Sequence, residues 1–186
     1  MSAFFLHLMR HGAPEKPWLL LGHADMPSTP EGIAACAAQV AELPFGALVS
    51  SDLVRASAAA EEIGRARGLA VRQDARWREL DFGAWDGLPP AEVDAHAFWD
   101  DPDANPPPGG EPWSALLTRV SAALDDIAER DTLVVTHGGA IRAALAALFG
   151  FEQRQLWAFD LPYGAVLTLR VWPGTPRMAQ IAGLWT

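Results

Sequence analysis

The amino-acid sequence predicts an α/β fold: a three-layer α/β/α sandwich, with a mostly parallel central sheet and helices on both faces. Three observations predict it. Short apolar runs suited to buried strands alternate along the chain with stretches of helical period. Neither an internal repeat nor a low-complexity linker interrupts the alternation, so one domain over residues 1–186 is expected. Half of the 186 residues are hydrophobic and a fifth are charged, enough apolar material for a sizeable core.

Ala3 to Met9 reads as the first buried strand. Thr29-Pro30 has the chemistry of an N-cap followed by proline at the first helical position, opening a helix to about Glu42. Leu43-Pro44-Phe45-Gly46 breaks it, and Ala47 to Ser50 is a second short strand. Asp52 to Arg67 is helical and stops at Gly68, where a C-cap glycine belongs. Leu69 to Gln73 suits a third strand. A long irregular stretch from Arg76 to about Glu111 follows, holding Trp77, Trp85, Trp99 and the run Asn105-Pro106-Pro107-Pro108-Gly109-Gly110. Loops of such length in a compact domain are usually functional or mobile, so this one is expected to lie over the site. Pro112 to Arg130 is an amphipathic helix with Trp113, Leu116, Leu117, Val120, Leu124 and Ile127 near helical spacing. Thr132 to Thr136 is a strand, Ala140 to Phe149 a helix, Ala165 to Trp172 a strand, and Met178 to Trp185 a last edge element.

Composition narrows the function. Fourteen basic against 23 acidic residues give a formal charge of −9, which argues against a nucleic-acid-binding surface. No apolar run reaches the roughly 18 residues of a membrane span. Phe4-Phe5-Leu6 is too short for a secretory core and lacks a basic flank, so a cytoplasmic protein is expected. Cys36, the one cysteine, reads as a small buried apolar residue. There is no His-Glu-x-x-His, no Cys-x-x-Cys and no nucleotide loop, so neither a metal nor an organic cofactor is expected.

In a parallel sheet, ligands bind beyond the carboxyl ends of the strands. Arg10-His11-Gly12 follows the first strand, Ser50-Ser51-Asp52-Leu53-Val54-Arg55 the second, and His137-Gly138-Gly139 the strand at Thr132 to Thr136. Two histidines and two arginines therefore gather at one edge, beside helix N-termini that favour anions. An acidic chain thus carries a local cationic site. Of the other histidines, His7 reads as a satisfied core residue and His96 as solvated surface. His23 fits a loop near the site.

Those same blocks resemble the histidine phosphatase, or phosphoglycerate mutase-like, superfamily. Leu8-Met9-Arg10-His11-Gly12 is similar to its signature. Gly22-His23-Ala24-Asp25 with Thr29-Pro30-Glu31-Gly32, Ser50 to Ala56, and Val134-Val135-Thr136-His137-Gly138-Gly139 resemble its later blocks, in its order. The resemblance implies that His11 attacks phosphorus and becomes a phosphohistidine. It implies that Arg10, Arg55 and His137 hold the phosphoryl oxygens, His137 as a cation whose pKa the bound anion supports. It assigns the proton donor to Glu79, four places before Gly83, with Asp81 as rival and Asp86 behind it. The sequence departs from the family at Ala13-Pro14-Glu15-Lys16-Pro17-Trp18, where many members carry Glu-Thr and a phosphate-touching asparagine.

Glu79-x-x-Phe82-Gly83-x-Trp85-Asp86-Gly87, followed by Gly109-Gly110-Glu111, most resembles bacterial α-ribazole phosphatases of cobalamin synthesis. The expected substrate is accordingly a small-molecule phosphate ester of that kind, with His23 and Trp85 as possible substrate contacts. From Gly83 to Thr118 there is no lysine or arginine, while Asp86, Glu92, Asp94, Asp100, Asp101, Asp103 and Glu111 are acidic. Their repulsion is expected to disfavour a leaving group with a second acidic function. The alternatives are a broad-specificity phosphatase, a phosphoglycerate mutase, and a non-catalytic phosphate-binding module. Loss of His11 or of the acid would mark the last, and neither is lost.

Overall fold

In the computed structural model, which describes residues 2–186, the strand ending at the Arg-His-Gly run lies near the middle of the sheet. β1 (Phe4–Arg10), β2 (Ala47–Ser50), β3 (Val71–Gln73), β4 (Thr132–Thr136), β5 (Val166–Trp172) and β6 (Met178–Trp185) form one six-stranded sheet in the order β3-β2-β4-β1-β5-β6. The first four pair in parallel, whereas β5 runs antiparallel to β1 and β6 antiparallel to β5. The sheet is thus mixed, with its parallel part carrying the three motif-bearing strand ends.

Strand alternation builds the three layers. Leu6 and Leu8 of β1, Val134 of β4 and Leu167 of β5 pack with α4 (Trp113–Asp125) and α5 (Gly138–Phe149) through Leu116, Val120, Ile141 and Leu145. Met9, Leu133, Val135 and Val166 point the other way, against α1 (Pro30–Gln39) and α2 (Val54–Arg67), where they meet Cys36, Ala56, Ala60 and Ile63. Cys36 is fully buried, and burial pushes its thiol up to about 12, so it is packing material.

Local chemistry sets most of the helix ends. Thr29 Oγ1 accepts from Gly32 N–H at 3.0 Å, and Gly68 closes α2 in the left-handed conformation with φ 66°. Two helices stop earlier than their apolar periodicity predicts. The carbonyls of Val40, Ala41 and Leu43 after α1 receive Arg67. Those of Leu124, Asp125 and Ile127 at the end of α4 receive Arg177 from the β5–β6 connection. Asp125 and Asp126 oppose the dipole of a longer α4, and an arginine that satisfies the last carbonyls makes the earlier stop favourable.

The long stretch after β3 is mostly irregular, with short 3-10 turns at Ala75–Trp77, Gly83–Trp85 and Pro90–Glu92 and one short helix, α3 (His96–Asp100). Another, α6 (Gln153–Leu156), follows α5, and neither short helix was expected. Among the described residues no helix is long and apolar enough to cross a membrane.

Candidate active site

Register brings the polar clusters together. Arg10 is paired with Thr136, and Ser50 with Val135, so β1, β4 and β2 end almost level. The peptide N–H groups just past those ends continue the ladders, from His11 to Thr136 O and from Ser51 to Val135 O, both at 2.9 Å. After β2 the chain enters α2 on one face, and after β4 it enters α5 on the other. The crevice between these departures is where a parallel sheet binds its ligand.

His11 is 4% exposed. Its Nδ1 lies 2.7 Å from the Gly12 carbonyl, which only accepts, so Nδ1 carries the hydrogen and Nε2 the lone pair. Burial, then Arg55 and Arg10, push its pKa well below the ordinary value and keep the ring neutral. The His137 ring lies 5.0 Å away. Its Nε2 meets Ser51 Oγ at 2.9 Å, while that oxygen accepts Leu53 N–H at 3.3 Å. The hydroxyl hydrogen can donate to Nε2, and in that arrangement the ring proton sits on Nδ1. His137 Nδ1 is buried and has no partner among the described residues.

The cationic form expected of His137 is one that a bound anion supports. Burial, then Arg55, His11, Arg119 and Arg10, push its pKa well below the ordinary value. Without an anion the ring is neutral, and it faces the site as an uncharged Nδ1–H donor.

Arg55 is fully buried, and its fork donates to the carbonyls of Ala24, Leu21 and Gly22 at 2.9, 3.0 and 2.6 Å. This explains the Gly22-His23-Ala24-Asp25 block, whose backbone seats the guanidinium. Asp25 Oδ1 also accepts Val54 N–H at 2.6 Å, capping α2 from outside. Arg10 donates to Leu161 O at 2.6 Å and stacks over Tyr163, 4.0 Å from its centroid. Tyr163 also lies 5.5 Å from the His11 ring, a neighbour that no motif signalled. The Nε atoms of Arg10 and Arg55 are buried without partners among the described residues.

Glu79 reaches the same site from the irregular stretch. Its carboxylate accepts Gly139 N–H at 3.0 Å, at the start of α5, and its own Leu80 N–H at 2.9 Å. Arg119 fixes the segment from behind by donating to the carbonyls of Arg76, Arg78 and Glu79. A bidentate Asp52–Arg78 pair, at 2.7 and 2.6 Å, holds it to the β2 loop and keeps Asp52 below the usual carboxylate range.

The rival carboxylates are otherwise engaged. Asp86 accepts the N–H groups of Gly22 and His23, both at 2.7 Å. Asp81 accepts Gly83 N–H at 2.9 Å and lies 3.5 Å from His23 Nδ1. His23 Nε2 in turn lies 3.1 Å from the Glu79 carbonyl, so this ring braces the Glu79 segment.

A cavity of about 260 Å³ opens beside Arg10 and Glu79, walled by Phe82, Phe98, Trp99, Trp113 and Trp157. Neither His23 nor Trp85 lines it. Trp85 instead packs edge-on to Phe98, with centroids 5.8 Å apart, behind the wall. Arg142 of α5 does line it, which sequence reasoning missed. The lack of basic residues in the overlying segment therefore does not leave this cavity without a cation. Arg142 opposes the repulsion of acidic groups expected from that segment. Helical spacing placed Arg142 on a helix but did not show which face opens to the site. Among the described residues no group of three or more His, Cys, Asp or Glu is arranged to hold a metal.

The chain is similar to proteins of known function and structure. The glucosyl-3-phosphoglycerate phosphatase of Mycobacterium tuberculosis is 35% identical over 118 residues, 54% of this chain and 53% of that protein. The match therefore spans only about half the length of that relative. The adenosylcobalamin/α-ribazole phosphatase of Salmonella typhimurium is 27% identical over 197 residues, 97% of this chain and 98% of its own. The solved structure of a mycobacterial glucosyl-3-phosphoglycerate phosphatase complexed with VO3 superposes with a TM-score of 0.85 at 26% identity, covering 98% of both chains. Residues 6–182 match the Histidine phosphatase superfamily (branch 1) as a whole, from β1 through most of β6, and the chain belongs to that superfamily.

Proposed function

We propose that this protein is a metal-independent phosphomonoester hydrolase that works through a phosphohistidine on His11. One observation carries the reading. Three buried N–H donors, Arg10 Nε, Arg55 Nε and His137 Nδ1, lack partners among the described residues and belong to groups around the His11 ring. Each unpaired buried donor costs about 1–3 kcal/mol, and the oxygens of a phosphoryl group satisfy all three at once.

In the first step Nε2 of neutral His11 attacks phosphorus, and the bond from phosphorus to the ester oxygen breaks. Glu79 in its acid form passes a proton to the departing alkoxide. Arg10, Arg55 and His137 stabilise charge on the equatorial oxygens. In the second step Glu79 takes a proton from water as the water oxygen attacks phosphorus. The phosphorus–nitrogen bond breaks, inorganic phosphate leaves, and His11 returns to its neutral form. Guanidinium groups replace the charge stabilisation a metal gives elsewhere, and they repel a cation from the same place.

The substrate is a small-molecule phosphate ester whose leaving group enters the cavity beside Glu79. Its aromatic walls suit a flat, largely apolar group, which supports α-ribazole 5′-phosphate or a similar nucleoside-like monophosphate. The likeness to the Salmonella phosphatase supports the same choice. Arg142 favours a second reading, in which the leaving group is an acid, as in glucosyl-3-phosphoglycerate. Hydrolysis of a panel of phosphate esters under thorough chelation tests the reaction class. Inorganic phosphate is expected at an undiminished rate. Loss of activity restored by zinc or magnesium, or phosphate passed to an acceptor alcohol instead of water, contradicts it.

A further inference from the structure

Arg142 has no task in the phosphoryl clamp just described. Its Cζ lies 4.3 Å over the Trp157 ring, and Nη2 donates to the Phe159 carbonyl at 3.3 Å. Its Nε is buried without a partner among the described residues. The side chain lines the cavity together with Glu79 and the aromatic residues. From the point a Cβ would occupy on Gly138, Arg142 Nη1 is 3.2 Å away and Arg10 Nε 3.8 Å away. Two guanidinium groups thus face one small volume. Among the described residues, neither forms a salt bridge with a carboxylate.

Like charges held this close are stabilised by an anion between or beside them, and one phosphoryl group on Arg10 and His11 leaves Arg142 without its own. Stacking on an indole fixes the guanidinium plane and presents its N–H groups for paired contact with a planar acid. A monovalent carboxylate also costs less to desolvate against the surrounding rings than a second phosphate.

We propose that Arg142 is a carboxylate subsite, and that the preferred substrates are phosphate esters whose alcohol carries a carboxylate close to the ester oxygen. The remainder of such a leaving group lies against Phe98, Trp99, Trp113 and Trp157. The inference rests on the phosphohistidine reading, because it needs the phosphoryl group on Arg10 and His11. Arg142 acts on selection among esters, and the aromatic wall sets how large the acid can be.

Two esters that differ only in a carboxylate against a hydroxymethyl group, 3-phosphoglycerate and glycerol 3-phosphate, isolate the effect. The wild-type protein is expected to favour 3-phosphoglycerate in kcat/KM by roughly ten- to hundredfold, the range of a charge-assisted hydrogen bond. In Arg142→Gln the ratio of the two is expected to fall to near one, chiefly through KM for 3-phosphoglycerate, and Arg142→Lys is expected to restore part of it. No preference in the wild type overturns the proposal without any variant. A ratio unchanged in Arg142→Gln, or equal losses on both esters, overturns it too. If His11→Ala still hydrolyses both esters, the phosphohistidine reading itself has failed, which is a different result from a lost preference. Better turnover of α-ribazole 5′-phosphate than of 3-phosphoglycerate overturns the carboxylate subsite and leaves the nucleoside-like reading standing.

Discussion

His11 and His137 are both buried, neutral imidazoles, yet their surroundings give them opposite tasks. The Gly12 carbonyl takes the hydrogen of His11 Nδ1 and exposes a lone pair, while Ser51 engages His137 Nε2 and leaves an Nδ1–H donor. Glu79 is the carboxylate that lines the cavity, whereas Asp81 and Asp86 are tied to backbone N–H groups and to His23. Glu79→Gln keeps an oxygen for Gly139 N–H but has no proton to give. An alkyl phosphate, whose alkoxide must be protonated, is therefore expected to slow by about 10²–10⁴-fold. An aryl phosphate with a good leaving group is expected to suffer much less in the first step. Equal losses on both, or the selective pattern in Asp81→Asn, assign the proton to another group. At this scale the gathering of His11 with two arginines was legible because their motifs sit at strand ends. The neutrality of His137 in the anion-free site was not, because it depends on burial and on cations from three other segments.

At the scale of elements, two glycines separate positioning from folding. A Cβ on Gly139, at the start of α5, would stand 2.0 Å from Glu79 Oε1, the far end of a flexible side chain. A Cβ on Gly12 would stand 2.2 Å from the backbone carbonyl of Gly32 in α1, which cannot turn away. Gly139→Ala is thus expected to reproduce the Glu79→Gln pattern on alkyl and aryl esters with little change in the urea midpoint. Gly12→Ala is expected to lose about 1–3 kcal/mol of stability, as overpacking does. The reverse assignment of the two effects contradicts this placement of α1 and α5. Thr29-Pro30, Gly68 and the β2 and β4 runs were readable because capping chemistry and short apolar runs are local. The early ends of α1 and α4 were not, since their caps, Arg67 and Arg177, arrive from distant parts of the chain. The direction of β5 also escaped, because an apolar run carries no sign of the sense in which it pairs.

For the whole molecule, buried neutral histidines couple folding to pH. His7 has Nδ1 2.9 Å from Thr168 Oγ1 and Nε2 3.2 Å from the Pro44 carbonyl, and burial lowers its pKa as it does those of His11 and His137. Unfolded, each titrates near 6.5 and binds more protons than the folded chain below that value. Their contribution is complete above about pH 6.5 and is lost as pH falls toward the lowered folded values. Asp52 and Asp74, held down first by hydrogen bonds from Arg78 and Arg76, add losses only in the usual carboxylate range near pH 4. The urea midpoint is expected to fall between pH 7.5 and pH 5.5, with inorganic phosphate offsetting part of the fall by binding the folded state. A flat or rising midpoint contradicts neutral buried rings. The central claim, a covalent phosphohistidine on His11, is tested most directly by rapid-quench labelling with a ³²P-labelled ester. The expected result is protein-bound label that is labile in acid, stable in base and absent in His11→Ala. Label that persists in His11→Ala, or turnover with no bound label at any time, contradicts it.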